Sequence, residues 1–217
     1  MIAGIRLKVC GLTSYVDAEV ADHCGADYLG FILAPQSPRH LGLEQFRAMA
    51  ARLPDRRKVA VLVEPALADL AAMKAAGFDF FQIHFRHDLL IATVAGWAET
   101  VGAERLWLAP KLPPGVDVPA ALLPLAKFFL IDTFHVLKFG GTGETSDWAK
   151  FARHQTAHPE KVWILSGGLN PDNIGAALRA SGAKFVDVNS GVEAAPGVKD
   201  HAKLQRFVAA MRSAVGR

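Results

Sequence analysis

Short apolar runs rich in β-branched and aromatic residues recur eight times along this chain, and each is followed by a longer, alanine-rich stretch with helical spacing. The runs lie at 5–10, 27–33, 58–63, 79–84, 105–109, 127–132, 161–166 and 184–189. The helical stretches lie at 14–24, 43–53, 66–76, 88–99, 118–125, 146–155, 171–181 and 199–215. Eight pairs in 217 residues, or about 27 residues each (217/8), leave room only for short connections. Strand alternating with helix calls for parallel pairing through right-handed crossovers, so one α/β domain is expected over residues 1–217.

Eight such units can stay open as a doubly wound sheet or close into a barrel, which removes both sheet edges. A dinucleotide-binding sheet concentrates a Gly-x-Gly-x-x-Gly segment after its first strand, and Cys10-Gly11-Leu12-Thr13 does not have that form. Glycine-rich segments follow runs 1, 6, 7 and 8 instead. The expected fold is therefore a single-domain (β/α)₈ TIM barrel, in which chemistry belongs at the C-terminal ends of the strands.

Composition narrows the partners. With 24 basic and 21 acidic side chains the net charge is only +3, and no block of like charge marks a nucleic-acid or membrane surface. No segment reaches membrane-spanning length, and Met1 to Cys10 reads as an amphipathic strand rather than a secretory signal. Cys10 and Cys24 are too few for a disulfide framework and form no Cys-x-x-Cys pair, which suits a reducing, cytoplasmic setting. The small positive bias would draw in an anionic small molecule.

The strand ends carry the candidate chemistry. Run 1 ends at Cys10, a thiol at the expected barrel mouth next to Gly11; a buried structural cysteine is the commoner reading of a cysteine in isolation, and the strand-end position weakens it. After run 2, Pro35 and Pro38 stiffen a loop that carries Arg39, whose guanidinium could grip a carboxylate bidentately or lie solvated on the surface. Strand alternation places Gln82 and His84 on one side of run 4. His84 with His87 gives a His-x-x-His spacing, but without a nearby carboxylate no metal site is expected. Asp132 ends the apolar run Phe128-Phe129-Leu130-Ile131, an environment that raises a carboxyl pKa toward acid catalysis, with loop capping as the alternative. Glycine-rich turns at 140–143, at Gly167-Gly168 and at Ser190-Gly191 follow, the last two each leading into a helix start, as a phosphate cradle of backbone N–H groups requires.

Taken in order, these blocks resemble the phosphoribosylanthranilate isomerase family: Lys8 to Thr13, Gly30 to Arg39, Gln82-Ile83-His84, Asp132 with Gly140 to Gly143, Asp147-Trp148, Ser166 to Pro171, and Asp187 to Gly197. The resemblance spans nearly the whole chain. It implies a cofactor-free Amadori rearrangement of N-(5-phosphoribosyl)anthranilate to 1-(2-carboxyphenylamino)-1-deoxyribulose 5-phosphate, in tryptophan biosynthesis. It implies Cys10 as general base and Asp132 as general acid. Arg39, Gln82, His84 and Asp187 would contact the substrate, and Gly141, Gly167, Gly168, Ser190 and Gly191 its phosphate. The partner it implies is a small phosphorylated molecule, bound by a monomer or homodimer, with neither nucleic acid nor membrane involved.

Three positions depart from the family's usual pattern: Phe85 in place of a glycine, expected to add bulk at the rim, Ser146 in place of phenylalanine, and Asn189 in place of serine. Two rival readings stay open at this stage. One is a related barrel isomerase acting on another phosphorylated aminosugar, and the other is a phosphate-binding barrel without turnover.

Overall fold

A computed structural model of the chain describes residues 1–132 and 147–215. Eight parallel strands close into a barrel in sequence order: β1 (Arg6–Val9), β2 (Tyr28–Ile32), β3 (Arg57–Val63), β4 (Phe80–Arg86), β5 (Leu106–Lys111), β6 (Phe128–Ile131), β7 (Val162–Leu165) and β8 (Phe185–Val188). Closure is made by β8 on β1, with Leu7 opposite Val186, Lys8 opposite Asp187 and Val9 opposite Val188. The helices are α1 (Tyr15–His23), α2 (Leu43–Ala50), α3 (Leu67–Ala75), α4 (Ile91–Val101), α5 (Trp148–Ala157), α6 (Ile174–Ser181) and α7 (His201–Val215). Every expected strand and seven of the eight expected helices are present within a few residues of their sequence bounds.

The exception lies between β5 and β6, where the expected helix at 118–125 is a 3₁₀ segment, Ala120–Leu125. Pro124 lies inside it, and proline has no N–H to donate and crowds the preceding turn, so an α-helix does not propagate there. A second difference follows β8. A short hairpin of β9 (Glu193–Ala195) and β10 (Val198–Lys199) precedes α7, a feature too brief for periodicity to reveal.

Two apolar layers hold the barrel. The larger lies between strands and helices, and includes the stacked rings of Phe46 and Phe78, 3.9 Å apart, with Phe31 edge-on to Phe46. The smaller fills the barrel itself: Tyr28, Phe80, Trp107, Phe128 and Phe185 pack ring against ring, with centroids 4.9 to 5.6 Å apart in each contact. Cys10 belongs to this interior cluster. The aromatic plug makes the barrel a packed core, so a ligand is confined to the mouth that the strand ends and their loops surround.

Phe85 does not add bulk at the rim. It is 1% exposed and packs edge-on against Trp97 of α4, with ring centroids 5.5 Å apart. Alternation along β4 points Gln82 and His84 inward and Phe85 outward, which makes it part of the strand–helix core.

Candidate active site

The strand ends enclose a cavity of about 540 Å³ lined by Cys10, Arg39, Gln82, His84, Asp132, Asp187, Gly167, Gly168 and Ser190, among others. Nearly every site residue expected from the sequence thus meets in one place. Gly191 is not on the cavity wall, and Gly141 and Ser146 lie outside the described residues.

Cys10 follows β1 directly, and its backbone N–H donates to Val188 O at 2.9 Å. Two residues earlier on the same side of the strand lies Lys8, whose side chain is fully buried and donates to both Asp187 carboxylate oxygens, at 2.9 and 3.0 Å. Gly30 makes space for this ammonium, because a Cβ there would fall 2.8 Å from Lys8 Cε, 3.0 Å from Lys8 Nζ and 3.1 Å from Cys10 Cα. Burial works against the Lys8 cation, but Asp187 and then Cys10 outweigh it, and its pKa lies above the usual lysine value. Burial pushes the Cys10 thiol up and the Lys8 charge pulls it down; the net displacement is upward. Asp187 is likewise raised by burial against the pull of Lys8. A buried lysine is rarely found without a partner, and this one has two groups to serve.

Gln82 donates its amide N–H to Nε2 of His84 at 2.8 Å, which leaves the His84 proton on Nδ1. Burial, reinforced by Lys8, lowers the His84 pKa to about 4, so the ring is neutral near pH 7. Gln82 Oε1 is buried without a partner among the described residues, an acceptor available to a ligand hydroxyl or N–H. His87, beyond the end of β4, does not line the cavity with His84, and among the described residues no group of three or more His, Cys, Asp or Glu side chains is placed to hold a metal ion.

Arg39 sits in a loop whose turns are closed by Ser37 N–H to Ala34 O and His40 N–H to Ser37 O, both 3.0 Å, while Ser37 Oγ accepts from the Arg39 N–H at 3.1 Å. Its guanidinium grips Glu193, with Nε 2.9 and 3.0 Å from the two carboxylate oxygens and Nη2 2.7 Å from one of them. The sequence reading placed Arg39 on a ligand carboxylate; the structure adds a protein carboxylate on one edge of the same fork.

Loops 7 and 8 meet tightly. Gly167 and Gly168 adopt φ of 92° and 62°, left-handed values that glycine tolerates. Asn173 Nδ2 fixes Gly168 O at 2.8 Å, and α6 starts at once with Asn173 as its N-cap residue. Gly191 has a packing role: a Cβ there would lie 1.9 Å from Leu169 O and 2.9 Å from Asn170 Cβ. The absent side chain lets the short 3₁₀ turn Ser190–Val192 lie directly on loop 7, which brings Ser190 beside Gly167 and Gly168 on the cavity wall.

Lys8, Glu193 and Lys199 were not singled out from the sequence. Lys8 had one legible signal, a charged residue facing the same way as Cys10 inside an apolar strand. Glu193 and Lys199 had none, since their partners come from the loop after β2 and from the hairpin fold itself.

Residues 7–210 match the family model for N-(5'-phosphoribosyl)anthranilate (PRA) isomerase. The N-(5'-phosphoribosyl)anthranilate isomerase of Neisseria gonorrhoeae is 36% identical over 206 residues, covering 94% of this chain and 95% of that protein. The crystal structure of phosphoribosyl anthranilate isomerase from Thermus thermophilus superposes with a TM-score of 0.80 at 30% identity, covering 96% of this chain and 99% of that one. A phosphoribosyl anthranilate isomerase crystallised with reduced 1-(o-carboxyphenylamino)-1-deoxyribulose 5-phosphate superposes with a TM-score of 0.73 at 28% identity, covering 96% and 99%.

Proposed function

The chain belongs to the N-(5'-phosphoribosyl)anthranilate isomerase family, aldose–ketose isomerases of tryptophan biosynthesis, and from that premise we propose how its own residues divide the reaction. The observation that carries the reading is that a thiol, a carboxyl, a guanidinium and a glycine-built loop pair line one cavity at the mouth of the barrel.

Asp132, as the general acid, gives its proton to the ring oxygen of the ribose while the anilino nitrogen pushes its lone pair into the C1–N bond. The ring C–O bond breaks and a Schiff base forms. Cys10, as thiolate, then takes the proton from C2, and the electrons of that C–H bond run to the iminium nitrogen, leaving an enolamine. Tautomerisation to the aminoketose completes an isomerisation in which protons move and no redox equivalent is exchanged, so the chemistry calls for no cofactor. The loop pair takes the phosphate through backbone N–H groups at Gly167, Gly168 and Ser190, with Gly191 behind them holding the two loops together and Gly141 joining on the strength of the family resemblance. Arg39 takes the anthranilate carboxylate, and Gln82 and neutral His84 offer an acceptor and hydrogen bonds to the sugar. Asp187 acts through Lys8 as well as from the cavity wall.

Among the described residues no helix is long and apolar enough to cross a membrane. We place the protein in the cytoplasm, as a monomer or homodimer acting on a small phosphorylated molecule, without a nucleic-acid or membrane partner.

The test follows anthranilate fluorescence with freshly generated phosphoribosylanthranilate. Cys10→Ser should lower kcat by roughly a hundredfold or more with the fold intact, because a hydroxyl is far too weakly acidic to supply the base. Asp132→Asn should stop ring opening while the reduced product analogue still binds. Near-normal turnover of the first variant removes Cys10 from its role, and loss of binding by the second marks Asp132 as structural.

A further inference from the structure

An arginine fork has a side edge, Nε with one N–H of Nη2, and an end edge, Nη1 with the other N–H of Nη2. Glu193 occupies the side edge of Arg39 alone. Among the described residues nothing engages the end edge, and Arg39 lines the cavity. One two-pronged face therefore remains, of the shape that a planar carboxylate fills.

A guanidinium paired with a carboxylate would ordinarily be a neutral unit with little pull on a second anion. Here Lys199 changes the count. Its side chain is wholly buried, and Nζ donates to Glu193 Oε1 at 3.0 Å, Asn189 Oδ1 at 3.0 Å and Asn189 O at 3.3 Å. Three acceptors around one nitrogen require three N–H donors, which only the ammonium form supplies. Glu193 is fixed further by the Gly197 N–H at 3.2 Å, and Gly197 by Thr13 Oγ1 at 2.5 Å. Gly197 has φ of 81°, the left-handed turn that sets Glu193 opposite Lys199 across the β9–β10 hairpin. Arg39, Glu193 and Lys199 thus sum to one net positive charge. Neighbouring Lys8 and Asp187 pair with each other and add none.

We infer that Glu193 and Lys199 are positioning residues that turn Arg39 into a pre-aimed, singly positive receptor, and that they thereby select a substrate whose aglycone carries a carboxylate. Glu193 sets the direction of the fork, and Lys199 cancels the charge that Glu193 would otherwise take from it. The inference rests on the reading that Arg39 meets the aglycone carboxylate.

Titration calorimetry with two probes separates the two. One is reduced 1-(o-carboxyphenylamino)-1-deoxyribulose 5-phosphate, and the other is the same molecule with an unsubstituted phenyl ring. Lys199→Met makes the triad neutral and should weaken the carboxylate probe roughly tenfold, as expected for one unit charge some residues away at intermediate dielectric, while the phenyl probe shifts less than about twofold. Adding Glu193→Gln restores one net positive charge and should return the carboxylate probe to within about threefold of the starting protein, the remainder being lost aim. The double variant also replaces a buried ion pair by neutral side chains, a change that folded proteins tolerate. Equal weakening of both probes by Lys199→Met, no weakening, or no recovery in the double variant overturns the inference. Arg39→Ala tells where the failure lies. If it is selective for the carboxylate probe and Lys199→Met is not, only the positioning role falls; if it weakens both probes alike, the Arg39 reading falls and takes the inference with it.

Discussion

Replacing Lys8 with methionine tests the inner part of the site, because the two partners of Lys8 should respond in opposite senses. Methionine matches the lysine stem in volume, so packing beside Gly30 changes little and the loss is one of charge. Asp187 is then left buried without its cation, and removing one partner of such a pair costs about 3–5 kcal/mol, reduced if Asp187 takes up a proton. Cys10 loses the charge that opposed its desolvation. Lys8 is the strongest of the influences that lower the thiol pKa, so its loss moves the titration of Cys10 upward. Protonation of Asp187 returns part of this, since that carboxylate pushes the thiol in the other direction, as Lys199 pulls it down more weakly. The net shift expected for Cys10 is upward, because Lys8 acts on it more strongly than Asp187 does. The assay is the rate of carboxamidomethylation against pH in a Cys24→Ser background, which removes the second thiol, alongside the pH profile of kcat/KM. Both midpoints should rise together, so that at pH 7 the variant loses tenfold or more in kcat/KM and regains part of it in alkaline buffer. Asp187→Asn should move the alkylation midpoint down. Refutation would be a Cys10 midpoint that stays put in Lys8→Met, or one that moves the same way in both variants.

Gly191→Ala places a methyl group 1.9 Å from Leu169 O, and backbone must move to admit it. The expected loss is about 3 kcal/mol, the upper end for overpacking, or ~6–12 °C in Tm for a chain of this size; a Tm within about 2 °C of the parent would show that loops 7 and 8 are not locked at this point. His84, with its pKa lowered to about 4, should show no imidazole NMR transition between pH 5.5 and 8. A midpoint near 6.5 would mean that its burial and its hydrogen bond from Gln82 are not as described. Gly168→Val, at φ of 62°, forces a β-branched residue into a left-handed turn and should weaken phosphate, the reduced product analogue and its phenyl counterpart by a similar factor. An effect confined to the carboxylate-bearing ligand would assign Gly168 to the aglycone end.

Much of this architecture was legible because it is periodic or local. Eight closely spaced strand–helix units call for a parallel sheet, and the glycines after runs 1, 6, 7 and 8 favour its closure into a barrel; Asp147 caps α5 where the sequence has an aspartate before an apolar helix face. Cys10, Asp132, Gln82 and His84 could be placed at the mouth because strand direction and alternation fix which way a side chain points. What escaped depends on closure. Lys8 and Asp187 are 179 residues apart and meet only because β8 returns to β1, and Arg39 and Glu193 are 154 apart. Ion pairs of this kind leave no local pattern, since each partner looks like an ordinary charged residue until the sheet closes. Phe85 shows the opposite error: read as a substitution at the rim, it is governed by the alternation of β4 and sits on the outer face against Trp97. The glycines divide along the same line. Gly167 and Gly168 were legible as a glycine-rich turn before a helix start, a local property, whereas the close approach of Leu169 O is what excludes a side chain at Gly191, a contact between two loops that only the finished barrel brings together. In this fold the strand ends therefore announce which groups face the ligand, and the pairings that tune those groups arise where the last unit returns to the first two.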